Sequence, residues 1–140
     1  MAAVSRSRCR EWALQLLYQA EYTGHRQGEI VRFYRHFHKR EKVPAYLEKL
    51  VEGVTVYQEE LDALIRQHSE HWRLERMAAV DRNLLRLALY ELLHQPSIPA
   101  KVVINEAVEL AKRYGSEESG SFINGILDHV RQNVGREVEA

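Results

Sequence analysis

The sequence predicts an all-α protein, and three observations carry that prediction. Apolar residues recur at helical spacing in six stretches along the 140 residues, and no stretch shows the apolar–polar alternation of a half-buried strand. One segment, Met77 to Leu93, is apolar on most of its circumference, which requires other helices around it. Three of the stretches precede Ser69 and three follow Trp72, so the expected architecture is two packed three-helix bundles sharing one interface. The whole of 1–140 is read as a single domain, with helical subdomains of about 1–70 and 71–140.

The elements follow in order. Ser5 is placed to cap a first helix in which Cys9, Ala13, Leu16, Leu17 and Ala20 form the core stripe, and Gly24 to end it. Leu14 and Tyr18 fall together off that stripe and suggest a second packing surface, covered either by another helix of the chain or by a partner. A second helix is expected over Glu29 to His38, followed by a solvated loop at Lys39 to Lys42. Val43-Pro44 restarts the chain into a long amphipathic helix carrying Leu47, Leu50, Val51, Val54, Tyr57, Leu61, Leu64 and Ile65. Gly53 inside it costs about 1 kcal/mol relative to alanine, a loss that close approach of a neighbouring helix would offset.

The central segment, 77–93, ends near Gln95-Pro96; its few polar residues form a strip that must reach water or a partner. Ile98-Pro99 imposes an extended link. A fifth helix, about Ala100 to Tyr114, buries Val103, Ala107, Leu110, Ala111 and Tyr114 and closes at Gly115. The last carries Ile123, Ile126, Leu127, Val130 and Val134, before a polar tail from Gly135.

Twenty basic residues balance twenty acidic ones, so no global field draws the chain to nucleic acid or membrane, and any such role needs a local patch. A lone cysteine, Cys9, excludes an internal disulfide and fits a reducing compartment. With no signal-peptide pattern and no membrane-length apolar run, a cytoplasmic location and no membrane partner are expected.

Catalytic chemistry finds no anchor. No phosphate-cradling glycine loop, nucleophile elbow or dinucleotide fingerprint is present, so no enzyme activity, catalytic residue or cofactor is expected. Of the seven histidines, His36 and His38 point to different sides of a helix, and only His68 and His71 have a metal-compatible spacing; with no third ligand, no metal is expected. Cys9 lies on a core stripe and reads as a small apolar filler. Glu106, Glu109 and Lys112 space as surface ion pairs. What remains is a binding signal. Arg6, Arg8 and Arg10 make a short basic arm, and Lys101, Lys112 and Arg113 add charge on the fifth helix. Phe122 lies beside the stripe of the last helix, next to Gly120, Ser121 and Asn124. It reads either as a core residue at its helix start or as a stacking platform for an unpaired base.

Arg10-Glu11-x-Ala13-x-x-x-Leu17-Tyr18 resembles the start of the NusB family of bacterial transcription antitermination factors. The likeness continues through Asp81 to Leu92, then Ile98-Pro99-x-Lys101 to Lys112, and Phe122-Ile123-Asn124-Gly125-Ile126-Leu127-Asp128, and covers essentially the whole chain. The resemblance implies binding of boxA RNA on nascent ribosomal RNA transcripts together with NusE, a small-subunit ribosomal protein, in an RNA polymerase antitermination complex. It implies RNA contact for Arg6, Arg8, Arg10 and Lys101 and for the segment holding Glu118, Gly120, Ser121, Phe122 and Asn124. For the NusE side it implies Tyr18 and Asp81, with Leu14, Arg82 and Arg86 around them. Asn105 and Glu106 also read as helix-to-helix hydrogen bonding, and Tyr90 as core. Since some relatives dimerise, a homodimer is left open.

Two departures bear on affinity. The arm alternates arginine with serine and cysteine where many relatives carry unbroken arginines, and position 121 is Ser where a basic residue is frequent. Fewer phosphate contacts flatten the salt dependence, so tight RNA binding is expected to lean on NusE. Two other classes compete with this reading. One is a stand-alone RNA-binding module related to the N-terminal domain of ribosomal RNA cytosine methyltransferases; no cofactor glycine motif in these residues would support methylation itself. The other is a structural or dimerising helical module.

Overall fold

The computed structural model describes residues 4–23, 43–69 and 73–134. The expected helix at 29–38, its following loop, the Gly24 stop, His36, His38, His71, Trp72 and the tail from Gly135 lie outside the described residues. Within them are five α-helices and no strand: α1 (Arg6–Thr23), α2 (Ala45–His68), α3 (Ala79–His94), α4 (Ala100–Tyr114) and α5 (Ser119–Val134), with a 3₁₀ turn at Leu74–Arg76 before α3.

Local chemistry sets the ends. The Ser5 hydroxyl accepts the Arg8 amide at 3.1 Å, capping α1. Pro44 and Pro99 stand immediately before α2 and α4 with φ of −55° and −58°, and their carbonyls accept the first helical amides. Gly115 ends α4, its amide bonded to the Ala111 carbonyl at 2.8 Å, and Lys112 and Arg113 complement the helix dipole in the last turn. Beyond it, the Ser116 amide donates to the Ser119 hydroxyl at 2.9 Å and sets the start of α5.

α3 is the centre of the molecule. It packs against α1, α2, α4 and α5, and Leu84, Leu85 and Leu89 are shut off from solvent. Gly53 of α2 faces Tyr90, and a Cβ there would overlap the phenol ring, so the glycine is what lets α2 sit this close to α3. Tyr90 is core. Cys9 and Ala13 are fully buried, as the stripe on α1 predicts.

Several expectations need correcting. α3 begins at Ala79 rather than Met77, because Leu74 and Met77 give their carbonyls to the Arg82 guanidinium at 3.0 and 2.7 Å. Leu14 is buried within the chain's own core, so of the two coverings left open for it the chain itself supplies the cover, and its placement on a partner face is corrected. Tyr57 and Tyr114, placed in the core by periodicity, keep 38% and 37% of their surface exposed. Each keeps its ring against protein and a polar contact nearby: Tyr57 stacks on His94 at 3.9 Å between centroids, and the Tyr114 hydroxyl donates to Glu11. The polar strip on α3 reaches neither water nor a partner over most of its length. Asn83, Arg86 and Glu91 are buried and find their counterparts inside the chain.

Candidate nucleic-acid and protein interfaces

α1 lies antiparallel to α3, and each of its ends meets a polar cluster. At the first end, Arg10 is buried, and its Nε donates to both oxygens of Glu91 at 2.8 and 3.0 Å. Its Nη1 donates to Glu106 Oε1 at 2.8 Å; that oxygen also accepts the Ser7 hydroxyl at 2.5 Å, and the Tyr46 hydroxyl donates to Glu91. Burial opposes the Arg10 charge, but the hydrogen bonds and charges of Glu91 and Glu106 outweigh it and hold the guanidinium above its ordinary value. Burial and then the Glu91 hydrogen bond push the Tyr46 phenol well up. This corrects the expectation of an exposed Arg10 in the arm: its guanidinium is buried and turned inward onto two carboxylates, away from the surface where a phosphate would sit. Glu106 pairs with Arg10 and Ser7 of α1, which bears out its helix-to-helix reading rather than surface pairing along its own helix.

Arg6 and Arg8 remain outside. The Arg6 guanidinium lies 4.9 Å from the Tyr46 ring centre and that of Arg8 6.0 Å from Trp12, both within cation–π range. Arg8 also donates to Glu11 Oε1 at 2.9 Å, while Arg113 of α4 takes the other oxygen, Oε2, at 2.9 Å. The Tyr114 hydrogen bond is the main reason the Glu11 carboxyl sits below its usual value; burial opposes it, and Arg113 and Arg8 assist.

The last turn of α4 joins the two expected halves of an RNA surface. Arg113 reaches α1, and the Lys112 stem lies along α5, where a Cβ on Gly120 would sit 3.4 Å from Lys112 Cγ. Gly120 is buried by that close approach, whereas Glu118, Ser121 and Asn124 are exposed and Phe122 is half-buried against the core. Phe122 thus packs against the core, as its core reading expects, and keeps part of its surface exposed. Lys101 is exposed in the first turn of α4, about 16 Å along the axis from Lys112, so the fold does not gather it with the others. In the sequence Arg113 reads only as added charge on the fifth predicted helix, and Glu11 only as part of a motif; their pairing is not foreseen. The only signal for them was a basic residue in the last turn of α4.

At the other end of α1, Glu21 is the hub. It accepts bonds from Arg82, from Asn83 at 2.9 Å and from Arg86 at 3.3 Å. Arg86 forms a two-pronged pair with Asp62 of α2 at 2.7 and 3.0 Å. Arg82 and Arg86 are thus spent on internal carboxylates and carbonyls, which corrects their placement on a partner face. Neither Glu21 nor Asp62 stood out in the sequence, because their partners lie more than twenty residues away. Tyr18 is partly exposed and stacks obliquely on Tyr22, 5.1 Å between centroids, and Tyr22 is 73% exposed. Asp81 is buried, and its Oδ1 has no hydrogen-bond partner. The chain thus leaves an aromatic pair and an unmatched carboxylate oxygen in this region.

Among the described residues no three His, Cys, Asp or Glu side chains gather to hold a metal, and no helix is long and apolar enough to cross a membrane. His68 meets His129 instead, Nδ1 to Nδ1 at 2.9 Å. The class these features define is an all-helical scaffold that presents charged and aromatic surface from a rigidly locked first helix. The chain belongs to the NusB family, whose model matches residues 7–132.

Its relatives include transcription antitermination proteins NusB from Sorangium cellulosum, 48% identical over 94% of this chain and 95% of that one, and from Desulfitobacterium hafniense, 50% identical over 97% and 94%. Among solved structures, NusB of T. maritima is 37% identical with a TM-score of 0.85, covering 94% of this chain and 93% of that one. A crystal structure of the antitermination factors NusB and NusE in complex with double-stranded RNA contains a chain 30% identical to this one, with a TM-score of 0.80 over 93% and 99%. The all-α fold and the family expected from the sequence are both borne out.

Proposed function

We propose that this protein is a cytoplasmic transcription antitermination factor that binds boxA RNA together with a NusE-type ribosomal protein and delivers both to transcribing RNA polymerase. Family membership over nearly the full chain supports the reading, as does a relative solved in complex with NusE and RNA. The observation that carries it is the division of the arginines. Arg10 is locked inside, so α1 is held still while Arg6 and Arg8 are exposed at its start, on the side where the last turn of α4 leads to Phe122 and Asn124. The unmatched Asp81 and the Tyr18–Tyr22 pair supply a separate region for the protein partner.

With Arg10 internal, the free arm is shorter than the sequence promised, which strengthens the expectation that RNA affinity depends on NusE. Fluorescence anisotropy with a single-stranded boxA RNA, with and without NusE over a salt series, tests this. Binding should be weak and shallow in its salt dependence for the protein alone and much tighter with NusE; equal affinity in both cases rejects the dependence.

A further inference from the structure

Arg8 and Arg113 come from helices distant in sequence, yet each gives one N–H to a different oxygen of the same carboxylate, Glu11, at 2.9 Å. Glu11 is itself nearly enclosed, with 9% of its side chain exposed, whereas 57% of Arg8 and 59% of Arg113 face solvent. The Tyr114 hydroxyl fixes the carboxylate from a third side. A guanidinium carries five N–H donors, so each arginine keeps most of its fork after meeting Glu11. Between them opens a cleft of ≈ 210 Å³, floored by Glu11 and Leu110 and edged by the hydroxyls of Ser5 and Ser7.

The other carboxylates on this cleft are Glu106 and Glu109. Glu106 is held by Arg10 and Ser7, and Glu109 pairs with Lys112 at 3.5 Å. The anions are therefore turned inward or paired, and the two exposed cations at the rim share a single buried negative charge.

We infer that Arg8 and Arg113, tethered to the two oxygens of Glu11, form a two-pronged seat for one backbone phosphate of the bound RNA. The seat rests on the RNA-binding reading and adds to it a residue, Arg113, on a helix the basic arm does not belong to. It also offers a physical answer to the sparse arm. A second guanidinium, pre-oriented by a buried carboxylate, replaces a contact that a longer arginine run would make with greater loss of side-chain freedom.

Phosphate contacts to a single strand each contribute about 0.7 to the slope of log affinity against log salt. Anisotropy with single-stranded boxA RNA and NusE present should therefore show Arg113→Gln binding about three- to tenfold more weakly, with the slope reduced by part of that one-phosphate value of about 0.7. Arg8→Gln with Arg113→Gln should reduce the slope by about 0.7 in all, because both arginines serve the same single phosphate. Arg113→Lys should recover the slope, as the charge returns, but only part of the affinity, as the fork is lost. Arg113 is exposed, so the thermal midpoint of Arg113→Gln should stay at that of the parent. A parent that binds and an Arg113→Gln variant with unchanged slope overturn the seat. A parent that fails to bind the RNA even with NusE overturns the functional reading beneath it.

Discussion

The two ends of α1 are fastened to α3 by ion clusters of opposite sense. At the first end α1 supplies the cation, Arg10, and α3 the anion, Glu91; at the second α1 supplies the anion, Glu21, and α3 the cations, Arg82 and Arg86. This charge reversal fits an antiparallel α1 in one register, since flipping the helix would bring like charges together and sliding it would leave the buried charges unpaired. The ends differ in how completely they are closed. Arg10 and Glu91 keep 7% and 3% of their side chains exposed, and the hydroxyls of Tyr46 and Ser7 complete the cluster. The second end is more open, with 29% of the Glu21 side chain exposed, and it leaves Asp81 Oδ1 unmatched. The closed end serves the fold and positions the arm above it. The open end still has bonding capacity to give.

Breaking the closed end should have the largest effect. Glu91→Gln removes the charge that Arg10 holds in two bonds, and loss of one member of a buried pair costs about 3–5 kcal/mol, read as a shift of the urea unfolding midpoint. If the loss is no greater than for Glu21→Gln, the two ends are equivalent and the contrast fails. Glu21→Gln should cost roughly 1 kcal/mol, because that end is partly solvated.

Acid sharpens the same contrast. Burial opposes the Glu21 charge, yet hydrogen bonds from Arg82 and Asn83 outweigh it and hold the carboxyl below its ordinary value; Glu11 is lowered too, chiefly by Tyr114. A carboxyl with a depressed folded value binds its proton more readily in the unfolded chain, so stability rises with pH through this range. The contribution is fully present above the unfolded value of about 4.3 and drains away as pH falls through the folded ones. Unfolding free energy measured from neutral pH downward should therefore fall less steeply in Glu21→Gln than in the parent. Parallel curves would remove Glu21 from the account.

The smallest stability change belongs to Asp81→Asn. Its Oδ1 has no bond to lose, so the isolated protein should change by less than about 1 kcal/mol, while affinity for NusE, measured by calorimetry, should drop. A large stability loss with NusE binding intact would make Asp81 structural and close the open end.

Local signals in the sequence translated well. α4 runs from Ala100 to Tyr114 as Pro99 and Gly115 dictate, and Gly53 marks a close helix approach, because each acts through its own backbone geometry. The circumference of the central helix correctly called for neighbours on every side. What could not be read was the assignment of charges. Arg6, Arg8 and Arg10 look alike in the sequence, and their fates diverge only because Glu91 arrives beneath one of them from 81 residues away. The same holds for Arg86, whose partner Asp62 sits among leucines on α2 without any local pattern to announce it. Leu14 and Tyr18, adjacent on a helical wheel, separate for a similar reason: the fold covers one and leaves the other at the rim.

Cys9 sits one residue before Arg10, with no surface exposed, and burial pushes its thiol up. It is the only cysteine in the chain. An alkylating reagent thus has a single target, hidden and largely protonated while α1 stays seated, and reachable only when that helix lifts from α2, whose Leu47 backbone the thiol meets. The sulfur is a built-in clock for the opening of the segment that carries Arg6 and Arg8.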